Sequence, residues 1–113
     1  MLSYQDTREH RVQIQFRLGS ALVGKIDAAA EADGITRNDW IVAACLDKLQ
    51  GKGNAGAFRA SEVTANRQPI LFRVGAKIKK AIDKDWKDKK ISSRTMWIIE
   101  AILVSLDNYE FDN

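Results

Sequence analysis

The sequence predicts a mostly α protein with a two-stranded antiparallel ribbon, built as a monomeric pseudo-dimer from two tandem strand–helix–helix units. Three observations predict it. The first is an internal repeat: RVQIQFRL (residues 11–18) returns as RQPILFRV (67–74). Gly19/Gly75, Ile26/Ile82, Asp27/Asp83, Ile35/Ile91, Arg37/Arg94, Trp40/Trp97, Ile41/Ile98 and Leu46/Leu103 follow as identical pairs. Repeats fix architecture before any motif is weighed. The second observation is strict apolar–polar alternation at the head of each unit, the third an apolar stripe at helical spacing behind it. The whole chain of 113 residues reads as one domain, with a first repeat over 11–50, a linker over 51–66 and a second repeat over 67–107. A unit this small cannot bury a core alone, so two copies are expected to build one core together.

In the first unit Val12, Ile14, Phe16 and Leu18 alternate with Gln13, Gln15 and Arg17. A period of two means a strand with one buried face and one exposed face. Ser20 is placed to cap the helix carrying Leu22, Ile26, Ala29 and Ala30 at helical spacing. Gly34 suits the left-handed position that ends it. Thr36 then opens a second helix with Asp39 three residues on, as in a capping box. Trp40, Ile41, Ala44, Cys45 and Leu49 stripe that helix, so both Trp40 and its repeat Trp97 are expected in the core. The second unit matches: Ile70, Phe72 and Val74 alternate, Ile78, Ile82 and Trp86 stripe a helix, and Ser92 or Ser93 caps the next. The linker is rich in Gly and Ala, and its 16 residues span at most about 50–55 Å extended. Phe58 is placed to tack it to the body.

One strand per unit is the decisive constraint. A lone strand leaves backbone groups unpaired, and the other strand of this chain is its repeat. Antiparallel pairing puts both apolar faces over the helices. Gln13, Gln15, Arg17, Pro69, Leu71 and Arg73 then face solvent.

Charge is distributed unevenly. Residues 1–52 carry seven basic and seven acidic groups; residues 53–113 carry eleven and eight, which accounts for the net +3. Nine basic groups fall within 73–94 against Asp83, Asp85 and Asp88. Such a field attracts polyanions, although a solvated lysine face is the plain alternative. A single cysteine, Cys45, excludes an internal disulfide framework and suits a reducing compartment; its apolar neighbours predict a buried, unreactive thiol. The polar start MLSYQDTREHR is unlike a signal peptide, and the apolar run 97–106 is too short to cross a bilayer. The expected location is cytoplasmic, without membrane association. His10, the only histidine, has no patterned partner, and no phosphate loop, metal-spaced set or nucleophile–base pair is present. An enzyme is not expected, nor a cofactor.

The QIQFR and ILFR strands, the TRNDWI and SRTMWI helix starts and their spacing resemble the ribbon-helix-helix family of DNA-binding proteins, the Arc and MetJ type. A tandem copy in one chain resembles the TraY-like relaxosome arrangement. The resemblance implies a ribbon in the major groove whose outward side chains read bases. Glutamine suits adenine and arginine suits guanine, so Gln13, Gln15, Arg17 and Arg73 are the implied readers, with Leu71 reduced to apolar contact with a thymine methyl. Pro69 and Leu71 stand where the first strand has Gln13 and Gln15. This predicts an asymmetric site, one half read sharply and the other held mostly by charge. Phosphate contacts are implied for Arg11 and Arg67 beside the ribbon and for the helix starts. Those are Thr36, Arg37 and Asn38 in one unit and Ser92, Ser93, Arg94 and Thr95 in the other. Surface salt bridges are the alternative for Arg37 and Arg94. The implied partner is double-stranded DNA, with further copies on adjacent sites and a protein partner left open. The implied role is a transcriptional repressor of a plasmid, phage or similar element. The alternatives are a conjugation accessory factor that bends DNA, and an antitoxin-like protein-interaction module.

Overall fold

In the computed structural model, which describes residues 11–51 and 63–108, both alternating runs are strands: β1 (Arg11–Gly19) and β2 (Arg67–Gly75). Each is followed by two helices, α1 (Ser20–Asp33) and α2 (Arg37–Leu49) after β1, α3 (Ala76–Asp88) and α4 (Arg94–Asn108) after β2. Among the described residues the architecture is therefore four helices and one two-stranded antiparallel sheet. Both strands share one burial pattern. Ile14, Phe16, Leu18, Ile70, Phe72 and Val74 are buried beneath the ribbon, while the residues between them face outward. Pairing is centred on Gln15 opposite Leu71, with Gln13 opposite Arg73 and Arg17 opposite Pro69.

Helices α2 and α4 supply the centre of the core through Trp40, Ile41, Trp97, Ile98 and Ile102, all buried. Both tryptophans are core residues, as the apolar stripe requires. Cys45 is fully buried, and burial pushes its thiol up to about 12, leaving negligible thiolate at neutral pH. No helix among the described residues is long and apolar enough to cross a membrane.

Side chains cap the second helix of each repeat, whereas the first helix of each starts at a glycine without a side-chain cap. Thr36 Oγ1 accepts from the Asp39 amide at 3.1 Å, and Ser93 Oγ accepts from the Met96 amide at 3.2 Å. Ser93, not Ser92, is thus the cap of α4. Ser20 does not cap α1: Gly19 occupies that position, in extended conformation and without a side-chain acceptor. The Ser20 amide instead donates to the Asn66 carbonyl at 3.2 Å, tying the end of the linker to the start of α1. Phe58 lies outside the described residues. Val63 is buried and anchors the chain ahead of β2.

Gly34 ends α1 at φ 69°, as its residue type demands. At the matching turn after α3 the chain places Lys90 at φ 57°, and Ile91 donates back to Trp86 just as Ile35 donates to Ala30. Left-handed backbone costs an L-residue roughly 1–2 kcal/mol, partly offset by glycine's larger unfolded-state entropy. Lys90→Gly is therefore expected to raise stability by about 0.5–1 kcal/mol, read as a higher urea midpoint at unchanged slope. A lower midpoint would contradict this account of the turn.

Candidate nucleic-acid interface

The outer ribbon face is built entirely by the alternation of the two strands. Gln13, Gln15, Arg17, Pro69, Leu71 and Arg73 are all exposed. Leu71, at the centre, is 48% exposed. Arg73 backs onto a clamp: its amide donates to Asn38 Oδ1 at 2.7 Å, and its carbonyl accepts from Asn38 Nδ2 at 3.0 Å. The Asn38 side chain is thus committed to the outer edge of β2. It fixes the start of α2 against the ribbon. The repeat gave no signal for this role, because the equivalent position is Thr95.

The clamp also explains Pro69. With the Arg73 backbone groups turned away from β1, the pair Gln13–Arg73 exchanges no hydrogen bonds across the ribbon. By the two-residue alternation, neither do Gln15–Leu71 and Arg17–Pro69. Proline's missing N–H therefore falls on the outer edge, where the ladder needs no donor. Pairs of this kind hold their side chains closest, so Gln13 and Arg73 act as neighbours. At the other end the short Pro69 ring opposite Arg17 lines a shallow depression of ≈ 300 Å³ with Gln15 and Phe16. Arg17 Nη2 donates to the Arg67 carbonyl there at 3.1 Å. Arg11 and Arg67 are exposed at opposite ends of the ribbon.

The register redistributes the asymmetry expected from sequence. Outward hydrogen-bonding side chains and helix charge are divided by end of the ribbon, not by repeat. The end holding Gln13 and Arg73 is where β2 passes into α3, which exposes Lys77, Lys80, Lys84 and Lys87 along one face. The end holding Arg17 and Pro69 is where β1 passes into α1, whose matching exposed positions are Ala21, Gly24, Ala28 and Glu31.

Arg37 and Arg94 are engaged within the protein. Arg37 Nε and Nη2 donate to the Asp27 carboxylate at 2.7 and 2.8 Å; Arg94 Nε and Nη2 donate to Asp83 at 2.7 and 3.2 Å. The salt-bridge alternative is what the structure holds, twice and at matching positions. It ties the first helix of each repeat to the start of the second, which accounts for the repetition of both residues. Thr36 and Ser93 spend their side chains as caps, Ser92 is exposed beside α4, and Thr95 is half-buried in its first turn.

The two ion pairs differ in depth. Asp27 and Arg37 are 46% and 41% exposed, Asp83 and Arg94 only 21% and 37%. Asp83 also accepts from Trp86 Nε1 at 2.9 Å and Lys79 Nζ at 3.2 Å. Burial raises its pKa, but the hydrogen bonds from Arg94, Trp86 and Lys79 outweigh burial and hold the carboxyl well below the usual carboxylate range. Asp85 is lowered in the same way, burial being outweighed by hydrogen bonds from Trp97 and Lys89. A carboxylate with a depressed folded pKa stabilises fully above its unfolded value, about 3.9, and that contribution is lost as pH falls through the folded value. Asp83→Asn is expected to lower Tm at pH 7 and flatten its decline in acid; Asp27→Asn should do so far less, the pair being exposed. Equal effects at both sites, in melts from pH 7 to pH 2, would refute this ranking.

No protein-family model, curated protein or solved structure matches the chain.

Proposed function

We propose that the chain is a sequence-specific double-stranded DNA-binding protein of ribbon-helix-helix type, a monomeric pseudo-dimer acting as a transcriptional repressor by occluding a control site. The observation that carries this reading is the outward face of the ribbon. It is an exposed two-stranded surface bearing Gln13, Gln15, Arg17, Leu71 and Arg73 over an underside that is apolar except for half-buried Gln68. A structural ribbon needs no such set, because any soluble polar residues would serve. A two-stranded ribbon fits a major groove about 12 Å wide, and these residue types match the donor and acceptor pattern of purine edges. The pairing symmetric about Gln15 and Leu71 is the arrangement two copies of one unit adopt about a twofold axis. Lys80 and Lys87 on α3 supply attraction without sequence information.

Binding to a labelled mixed-sequence duplex, followed by fluorescence anisotropy across a salt series, tests the proposal. Affinity should fall steeply with salt, the slope of log K against log salt being about −0.9 per phosphate neutralised. Absence of binding at low salt would remove the reading and leave a protein partner as the alternative.

A further inference from the structure

The end-to-end division of the ribbon has a consequence for the DNA it would accept. Resting on the DNA-binding reading, we infer that the chain binds its site in a single orientation. One end of a non-palindromic sequence is gripped by Gln13 and Arg73 with the α3 lysines alongside; the other end is read by Arg17 alone.

Three features of the structure converge on this. Gln13 and Arg73 stand opposite each other, so two hydrogen-bonding readers are concentrated at one end. Arg17 faces Pro69, which has no side-chain donor or acceptor to offer a base. Helix α3 leaves the ribbon beside the first pair and exposes Lys80, Lys84 and Lys87, while α1 leaves beside the second and exposes Gly24, Ala28 and Glu31 at the same positions. Lys84 is shared with Asp88 at 2.6 Å, so Lys80 and Lys87 carry most of the excess. Charge and base recognition thus reinforce each other at one end. The two ends lie four residues apart along the strands, about 13 Å, or roughly four base-pair steps. A palindromic site would waste one half of its specific contacts, and turning the protein around on the wild-type site would lose them.

The chain contains its own control. Pro69→Gln with Leu71→Gln converts residues 69–73 from PILFR to QIQFR, the sequence of residues 13–17. Both positions are exposed and outward, so the substitutions restore symmetry to the face without touching the core. Selection of duplexes from a random pool, run with wild type and with this variant, decides the matter. Wild type should enrich a non-palindromic site in which base changes at the Gln13–Arg73 end cost about 5- to 150-fold in Kd, against a few-fold for the base facing Pro69. The variant should enrich a palindrome made of two copies of the sensitive half. A palindromic wild-type site, or an unchanged site for the variant, would overturn the inference while leaving DNA binding standing. No enrichment by wild type would overturn both. Should the variant fail to fold, hydroxyl-radical footprinting of wild type still decides: protection extending further on one flank supports single orientation, and equal flanks refute it.

Discussion

Phe72→Ala is expected to lower the unfolding free energy by about 3–5 kcal/mol, the largest stability loss expected from a single ribbon residue. Phe72 is buried to 1% exposure, and its ring meets Phe16 edge-to-face at 6.0 Å with an interplanar angle of 89°. The two phenylalanines come from matching positions of the two strands, so this contact joins the repeats directly under the ribbon. Such aromatic pairs add roughly 0.5–1.5 kcal/mol beyond area burial. A double-mutant cycle with Phe16→Ala should therefore show coupling of about 1 kcal/mol. A domain of this size has only about 5–15 kcal/mol in total, so the single variant should approach the threshold of folding. Urea titration followed by tryptophan fluorescence and helical ellipticity reads the loss. A change under about 1 kcal/mol would mean that the space collapses freely and that the contact is not central.

Under the DNA-binding reading, the second large effect is on affinity. Arg17→Ala and Arg73→Ala are each expected to cost about 1–3 kcal/mol of base discrimination. The two arginines sit near opposite ends of the ribbon, about 13 Å apart along the strands, so their effects should nearly add. The double variant is then weakened by a factor between about 30 and about 2 × 10⁴ on the preferred site. Both side chains are exposed and Arg17 gives up only an exposed hydrogen bond to the Arg67 carbonyl, so folding should change little. Specificity at the contacted bases should relax while the salt slope changes little, the signature of base contacts rather than phosphate contacts. Arg37→Ala serves as contrast: its guanidinium is held by Asp27, and only a few-fold change is expected. Anisotropy titrations against the selected site and a scrambled duplex measure all three. Equal losses on both duplexes would reassign Arg17 and Arg73 to the phosphates.

Much of the fold was legible because its signals are local. Alternation over residues 12–18 and 70–74 identifies strands within a few residues, and Gly34, Thr36 and Ser93 mark helix ends through hydrogen bonds that span at most one turn. Less legible were the positions whose side chains have partners outside their own turn. Arg37 and Arg94 look like phosphate ligands in sequence, yet their carboxylate partners lie 10 and 11 residues back on the preceding helix. The repeated Asp27/Asp83 identity was the available signal, since a residue pair retained in both units points to a contact both units make. Asn38 had no such signal, because its partner is a backbone 35 residues away. Ser20 failed as a cap because β1 runs without a turn into α1, so Gly19 takes the capping position and stays extended.

By itself the sequence determined the two units, their strands and helices, the apolar underside and the set of outward side chains, because periodicity assigns each residue to a face. It did not determine which outward residues are neighbours. That depends on the register of the antiparallel pair, which comes from closing both apolar faces over one shared core. Antiparallel closure placed Gln13 beside Arg73 and Arg17 beside Pro69, and brought the lysine helix to the first of these pairs. Asymmetry written along the chain as a difference between two repeats became, in three dimensions, a difference between two ends of one ribbon.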